Sequence, residues 1–204
     1  MIRIYHAPLF RSIRVIWLAE ELGLPYEVIT IDPEQRRSDA WKAMHPQGKL
    51  PVMEDGDLVM IESCAMLQYL LDRYGAERTD LQPTPGTHEA AEYLQWCWFA
   101  EASFARPLGD MAQHTIVRPE AERIPAVVDD GRARAEVCLA AVENHLQGRD
   151  YLLGDAFTLA DIVMGWTLHV ASTFKVLTAD TAPRAHDYYR RIHDRPAAQV
   201  ALAA

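Results

Sequence analysis

Residues 48–63 combine side chains and turns that suit the binding of a small peptide. The stretch reads as a strand, an Asp-Gly turn and a second strand, followed by Glu62 and Ser63 at a helix start. A helix start offers free N–H groups and a positive dipole to a carboxylate. The Ser63 hydroxyl adds a donor, and Glu62 supplies a negative charge for an ammonium. The pair therefore suits both charges of an amino-acid end.

The backbone at Leu50-Pro51 is a second candidate binding group, because the first strand of this stretch begins there. A cis peptide bond costs least before proline, and a proline at a strand start has no ladder hydrogen bond to lose. A cis bond would turn the N–H and C=O of Leu50 away from the sheet. These groups could then pair with the backbone of a bound peptide, as an added strand does.

The hydrophobic pattern predicts the elements that carry these groups. Ser12 is the expected cap of the first helix and Gly23 its stop, while Asp55-Gly56 predicts a hairpin turn. The resulting order is βαβαββα, a thioredoxin-like domain. The predicted segments are strands at 2–4, 26–31, 52–53 and 58–61, and helices at 12–21, 40–44 and 62–74.

The rest of the chain predicts a second, all-helical domain. Residues 1–75 form the first domain, the proline- and glycine-containing segment 76–86 is the linker, and 87–204 form a helical bundle. Pro107 is a possible interruption of the first long helix, and Thr158 with Asp161 predicts a capping box. The predicted helices span 87–115, 119–146, 158–174 and 183–193, with a short or frayed helix in the alanine-rich tail at 197–204.

Composition limits the functions that fit this chain. It has 204 residues and a formal net charge of −9, which argues against nucleic-acid binding. The three cysteines, Cys64, Cys97 and Cys138, are too far apart for a metal-site or disulfide pattern. There is no signal-peptide run and no apolar stretch of membrane-spanning length, so we expect a cytoplasmic protein without membrane or metal partners.

Four motifs in order make the chain resemble the cytosolic glutathione S-transferases over essentially its whole length. The segment from Ile4 through Glu27 resembles the first strand and helix of that family. Residues 45–51, His-Pro-Gln-Gly-Lys-Leu-Pro, resemble its loop before a cis-proline. Glu62-Ser63 resembles its γ-glutamyl site, and residues 158–161 resemble the helix cap of its second domain.

The resemblance implies glutathione as co-substrate and its transfer to a hydrophobic electrophile in detoxification. Lys49, and more weakly Gln47, would contact the glycyl carboxylate. An acceptor site would lie on the long helix, where the face Trp96, Phe99, Ser103 and Arg106 is expected to line an apolar pocket or belong to the core. A homodimer is implied as well. Its candidate contacts, which could equally be interior, are Met66, Tyr69, Leu70, and Tyr93 or Leu94.

The chain departs from the family where the thiol must be activated. Many relatives carry a serine or cysteine just after the first strand, but here that window is Pro8-Leu9-Phe10, which has no side-chain donor. The remaining candidates are Ser12, which could instead be a plain cap, Arg11 and Tyr5, with His6 as either donor or structural residue. Backbone N–H donation from Phe10 or Arg11 is a further possibility.

Three other functions fit the same resemblance. The protein could use glutathione for peroxide reduction, dehalogenation or isomerisation, because a fold does not choose a reaction. It could also be a non-catalytic partner-binding protein of this fold. A thiol-redox role fits least, since the nearest cysteine, Cys64, follows Ser63 on another helix.

Overall fold

The computed structural model describes all 204 residues, which divide into two compact units. Unit 1 comprises residues 1–81 and 193–204, and unit 2 comprises residues 82–192. The division after Leu81 falls inside the segment expected to be the linker. The tail at 193–204 was expected in the helical domain, but it packs in unit 1.

Unit 1 is built on a four-stranded sheet in the order β2-β1-β3-β4. Strand β1 runs parallel to β2 and antiparallel to β3, and β3 forms a hairpin with β4. The predicted βαβαββα order is confirmed. The strands are β1 (Ile2–His6), β2 (Tyr26–Thr30), β3 (Val52–Asp55) and β4 (Leu58–Met60), and the helices are α1 (Ser12–Glu21), α2 (Asp39–Met44) and α3 (Ser63–Tyr74).

Alternation along β1 directs Ile2, Ile4 and His6 into the core of unit 1. Helix α1 is buried over most of its length, from Ser12 to Ala19. Helix α3 also contributes to the core, because Met66 and Leu70 have no exposed surface. These two candidate dimer contacts are therefore interior residues.

Asp55 fixes α3 to the β3–β4 hairpin. Its Oδ2 accepts hydrogen bonds from the hydroxyls of Tyr74 at 2.5 Å and Tyr69 at 2.8 Å, and Arg73 Nε lies 3.5 Å away. The Tyr74 hydrogen bond is the main cause that lowers the pKa of Asp55 from its ordinary 3.8. The carboxylate thus stabilises the folded form in its charged state.

Helix α9 (Pro196–Ala203) packs against α1 and completes unit 1. Ala198 and Ala201 are fully buried, since their short side chains allow the two helices to approach closely. Arg195 donates to both carboxylate oxygens of Glu21, at 2.7 and 2.8 Å. The expected tail helix is present, and this bidentate pair attaches it to the end of α1.

Unit 2 is a helical domain without β-strands, as predicted. Its α-helices are α4 (His88–Trp98), α5 (Ala105–Ala112), α6 (Pro125–His145), α7 (Leu159–Thr173) and α8 (Pro183–His193), whose last residue is counted in unit 1. Pro125 occupies the first position of α6, where its missing N–H costs no helical hydrogen bond. No helix of the protein combines the length and the apolar character needed to cross a bilayer.

The possible interruption at Pro107 is not found, because the chain is helical on both sides of this residue. The segments Phe99–Phe104 and Gln113–Val117 flank α5, and Pro107 lies inside that helix. Proline has no N–H to give to the preceding turn. The carbonyl of Ser103 accepts from the thiol of Cys138 instead, at 3.7 Å.

The predicted capping box is present at the start of α7. Asp161 is fully buried and accepts from the Thr158 N–H at 2.7 Å and hydroxyl at 3.1 Å. Its other oxygen accepts from the Leu152 N–H at 3.0 Å and the Tyr188 hydroxyl at 2.7 Å. One carboxylate thus joins a loop, a helix start and α8.

Candidate functional site

An apolar cluster in unit 1 brings the β1–α1 turn and the segments before β3 and α3 together. Its buried members are Ala7, Ile31, Trp41, Leu50 and Val52, and its partly buried members include Phe10 and Ile61. Phe10 precedes α1 and Ile61 precedes Glu62, while Leu50 precedes β3. The candidate binding residues that are far apart in sequence therefore border one cluster.

Leu50 lies just outside the sheet. The Leu50-Pro51 peptide bond is cis, and the pairing of β3 with β1 starts at Val52. Leu50 and Pro51 are buried, whereas Lys49 and Gln47 are exposed. The loop therefore presents the ammonium group of Lys49 at the surface, beside the backbone of Leu50, which takes no part in the pairing of β3 with β1.

Glu62 and Ser63 stand at the start of α3 with Arg14 behind them. Glu62 is exposed and has φ 74°, a left-handed conformation that is uncommon for a residue with a side chain. The hydroxyl of Ser63 accepts from Arg14 Nη1 at 3.3 Å, and Arg14 has no exposed surface. A buried cation thus orients the serine at this helix start.

His45 links the two sides of this region electrostatically. Burial lowers the pKa of His45, the charge of Glu62 opposes that shift, and Lys49 adds to it. His45 Nδ1 accepts from the Gln47 N–H at 3.3 Å, which fits a neutral ring. The charges of Glu62 and Lys49 therefore act on the pKa of His45 in opposite directions.

Ser12, the first choice for a thiol donor, lies in the interior of unit 1. It has no exposed surface, and its Oγ is 2.9 Å from His6 Nδ1. His6 Nε2 in turn is 3.2 Å from the carbonyl oxygen of Ala204. The N-cap of α1 is Arg11, so Ser12 does not cap the helix either. Its hydroxyl joins β1 to α1, and burial prevents it from facing a bound thiol.

The other proposed donors are all half-buried but make different contacts. The Tyr5 ring packs on Trp41, and burial raises the pKa of its hydroxyl, with Glu54 adding to that shift. The backbone N–H of Phe10 donates to the Ala7 carbonyl at 3.2 Å, so it is already used. Arg11 is half-buried at the N-cap and remains the candidate among these residues.

The four acceptor candidates of unit 2 do not share one environment. Trp96 is a core residue, 5% exposed, packed against His145 with a 4.2 Å centroid distance. Phe99 is half-buried and contacts Trp96 edge to face, whereas Ser103 and Arg106 are exposed. The prediction that these four residues share one face was based on α-helical spacing. The π-helical turn at Phe99–Phe104 changes that spacing.

Sequence reasoning missed the contributions of Arg14 and His45. Arg14 interrupts an otherwise apolar run of α1, Ile13 to Leu18, and a charge at such a position signals a buried polar partner. In the sequence, His45 stands out only as the first residue of the loop 45–51. No group of three or more His, Cys, Asp or Glu side chains is placed to hold a metal ion.

Two family models match the chain in the order of its two units. Residues 5–78 match the glutathione S-transferase N-terminal domain, and residues 125–191 match the C-terminal domain. Glutathione S-transferase 3 of Zea mays is 30% identical over 100% of this chain and 94% of its own length. Glutathione S-transferase GstB of Escherichia coli is 28% identical over 90% and 88%.

Solved structures with bound glutathione or its oxidised form share the fold. The theta class glutathione S-transferase of Xanthomonas axonopodis pv. citri with glutathione bound has a TM-score of 0.82 at 28% identity, covering 100% of this chain and 97% of that one. The glutathione transferase URE2P6 of Phanerochaete chrysosporium in complex with oxidised glutathione has a TM-score of 0.88 at 25% identity, with 99% and 94% covered.

Proposed function

The chain belongs to the glutathione S-transferase family, and we propose that it acts as a glutathione transferase whose unit 1 holds the tripeptide. The observation that supports the residue roles is that Leu50, which follows Lys49, shares one apolar cluster with Ile61, which precedes Glu62. The order is a cation at Lys49, a backbone segment at Leu50 outside the sheet pairing, and an anion at Glu62. This order matches the charges along a γ-linked tripeptide.

Each end of glutathione then has its own partner. Lys49, with Gln47 beside it, pairs with the glycyl carboxylate, and the backbone of Leu50 at Pro51 pairs with the cysteinyl residue. Glu62 receives the ammonium of the γ-glutamyl end. Ser63 and the N–H groups at the start of α3 receive its carboxylate. The sulfur then lies near the β1–α1 turn, because Phe10 and Leu50 border the same cluster.

Calorimetric titration with glutathione tests these roles. We expect Glu62→Gln to weaken binding about tenfold, which corresponds to ~1.4 kcal/mol, because the ammonium loses its counter-charge. A glutathione analogue without the α-amino group should bind wild type and this variant equally. Glu77→Gln, which changes an exposed acid just after α3, is the matched control. Wild type that does not bind glutathione, or a variant that binds it equally well, contradicts the proposal.

The acceptor, the assembly and the location are further parts of the proposal. We propose a hydrophobic electrophile as acceptor, a detoxification role and a cytoplasmic location. Phe99, Ser103 and Arg106 are retained as acceptor-binding candidates. We also propose a homodimer. Leu94 and Trp98 support it because they lie one turn apart on α4 and are 50% and 61% exposed, whereas Tyr93 is buried. Light scattering after size-exclusion chromatography measures the assembly.

A further inference from the structure

The β1–α1 turn carries an aromatic ring where a hydroxyl donor would be expected. Phe10 is half-buried against the Leu50 cluster, and the preceding Leu9 has φ 69°. The Phe10 N–H is bonded to the Ala7 carbonyl. Neither the side chain nor the N–H of Phe10 is therefore available to a sulfur atom.

Arg36 supplies a cation at this ring. It lies in the 3-10 turn Gln35–Arg37, and its Cζ is 4.7 Å from the centroid of Phe10. This distance is within the range of a cation–π contact, which holds the guanidinium over the ring face. The carbonyl oxygen of Arg36 also borders Gly48, at 2.9 Å from where a Cβ would stand. Arg36 therefore lies between the turn and the Lys49 loop.

The guanidinium of Arg36 has an unused donor. Its Nε is buried and has no hydrogen-bond acceptor. In contrast, Arg78 and Arg195 of the same unit both pair with Glu21. A buried N–H without an acceptor is costly, and the cost is removed when an anion binds beside it. The arrangement indicates a site for a negatively charged atom next to Phe10.

We propose that Arg36, held on the Phe10 ring, is the catalytic cation that stabilises the thiolate of bound glutathione in place of the absent hydroxyl. This inference rests on the proposed function. The thiol gives its proton to solvent, the sulfur keeps the electron pair of the broken S–H bond, and the guanidinium stays protonated throughout. Arg36 acts by charge and hydrogen bonding and does not accept a proton.

The position of Arg36 favours the thiolate over the glycyl carboxylate. Lys49 is the cation of the exposed loop and has its own place at the carboxylate end. Phe10 lies in the cluster that contains Leu50, the proposed partner of the cysteinyl backbone. A cysteinyl side chain is short, so its sulfur must stay near that backbone. The start of α1 adds a positive dipole at the same turn.

The test is an ultraviolet titration of the thiolate in the glutathione complex. We expect the pKa of the bound thiol in Arg36→Gln to be at least one unit higher than in wild type, which means about tenfold less thiolate at a pH below both values. At that pH, the KM for glutathione should change less than threefold. Arg36→Lys should restore part of the shift. Arg37→Gln, the exposed neighbour in the same turn, should match wild type.

A double variant tests directly whether Arg36 replaces the absent hydroxyl. Phe10→Ser introduces a hydroxyl at the turn, so the double variant Phe10→Ser/Arg36→Gln should have a lower thiol pKa than Arg36→Gln alone. An unchanged thiol pKa in Arg36→Gln overturns the inference. So does a shift that appears in Arg11→Gln instead, or a tenfold loss of affinity without a pKa change, which would place the carboxylate at Arg36.

These outcomes are separable from failure of the proposed function. If wild type does not bind glutathione in the calorimeter, both proposals fall. If it binds glutathione but leaves its thiol pKa at the value of free glutathione, the binding residues stand and Arg36 loses its assigned role.

Discussion

Each unit of the protein buries one charged side chain completely, and the two charges have different surroundings. Asp161 in unit 2 accepts four hydrogen bonds, all from groups that shape its own unit. Arg14 in unit 1 donates to Ser63, a proposed ligand-binding residue. The comparison suggests that a buried charge bonded only to structural groups serves folding. One that ends at Ser63, next to the exposed Glu62, positions a proposed binding group.

The largest effect is expected from Asp161→Ala, which tests the folding side of this comparison. The substitution leaves buried donors without an acceptor, so we expect the free energy of unfolding to fall by about 3 kcal/mol or more. Urea unfolding followed by circular dichroism measures it. Asp155→Ala, an exposed acid in the preceding loop, is the control. A loss below about 1 kcal/mol, or a change in the glutathione affinity of the folded variant, would contradict the comparison.

The positioning side is tested by Arg14→Met and Ser63→Ala, with glutathione affinity as readout. We expect each variant to weaken binding about tenfold, because the serine either loses its orientation or is removed. In the double variant, the loss of binding free energy should be smaller than the sum of the two single losses, by about 1 kcal/mol. Calorimetry measures these affinities, on variants whose circular dichroism spectrum matches that of wild type. Arg3→Met is the surface control, and simple additivity would show that Arg14 does not act through Ser63.

The smallest effect is expected at Asp55, whose carboxylate is mostly but not fully buried. Because its pKa is lowered in the folded state, it adds stability above its ordinary 3.8, and this stability is lost as the pH falls through the folded value. Asp55→Asn should therefore cost about 1 kcal/mol at pH 7 and little at pH 3. Unfolding curves at both values measure this, with Asp57→Asn as control. Equal losses at both pH values would be the contrary result.

The elements of unit 1 were predictable because their signals are local. Alternation in β1, the Gly23 stop of α1 and the Asp55-Gly56 turn act over a few residues. The capping box of α7 and the first-turn position of Pro125 were predictable for the same reason. The proposed binding residues before β3 and α3 followed from a peptide's need for backbone pairing and for an anion and a donor at a helix start.

The misses have a different cause, since each depends on a contact or a helix geometry that no short motif marks. The burial of Ser12 follows from its partner His6 and from the tail that covers them. The spacing of Trp96 and Ser103 was misjudged because a π-helical turn next to a proline is not visible as periodicity. Arg36 was missed because its stacking on Phe10 joins two turns that no sequence motif connects.

The attachment of α9 to α1 has a consequence for synthesis of the chain. Translation completes residues 82–192 of unit 2 before it reaches residues 193–204, which unit 1 requires. Synthesis of unit 2 therefore starts after that of unit 1 but is completed before it. The early strands and α1 must await α9, so the apolar face that α9 covers stays open until residues 196–203 have been made.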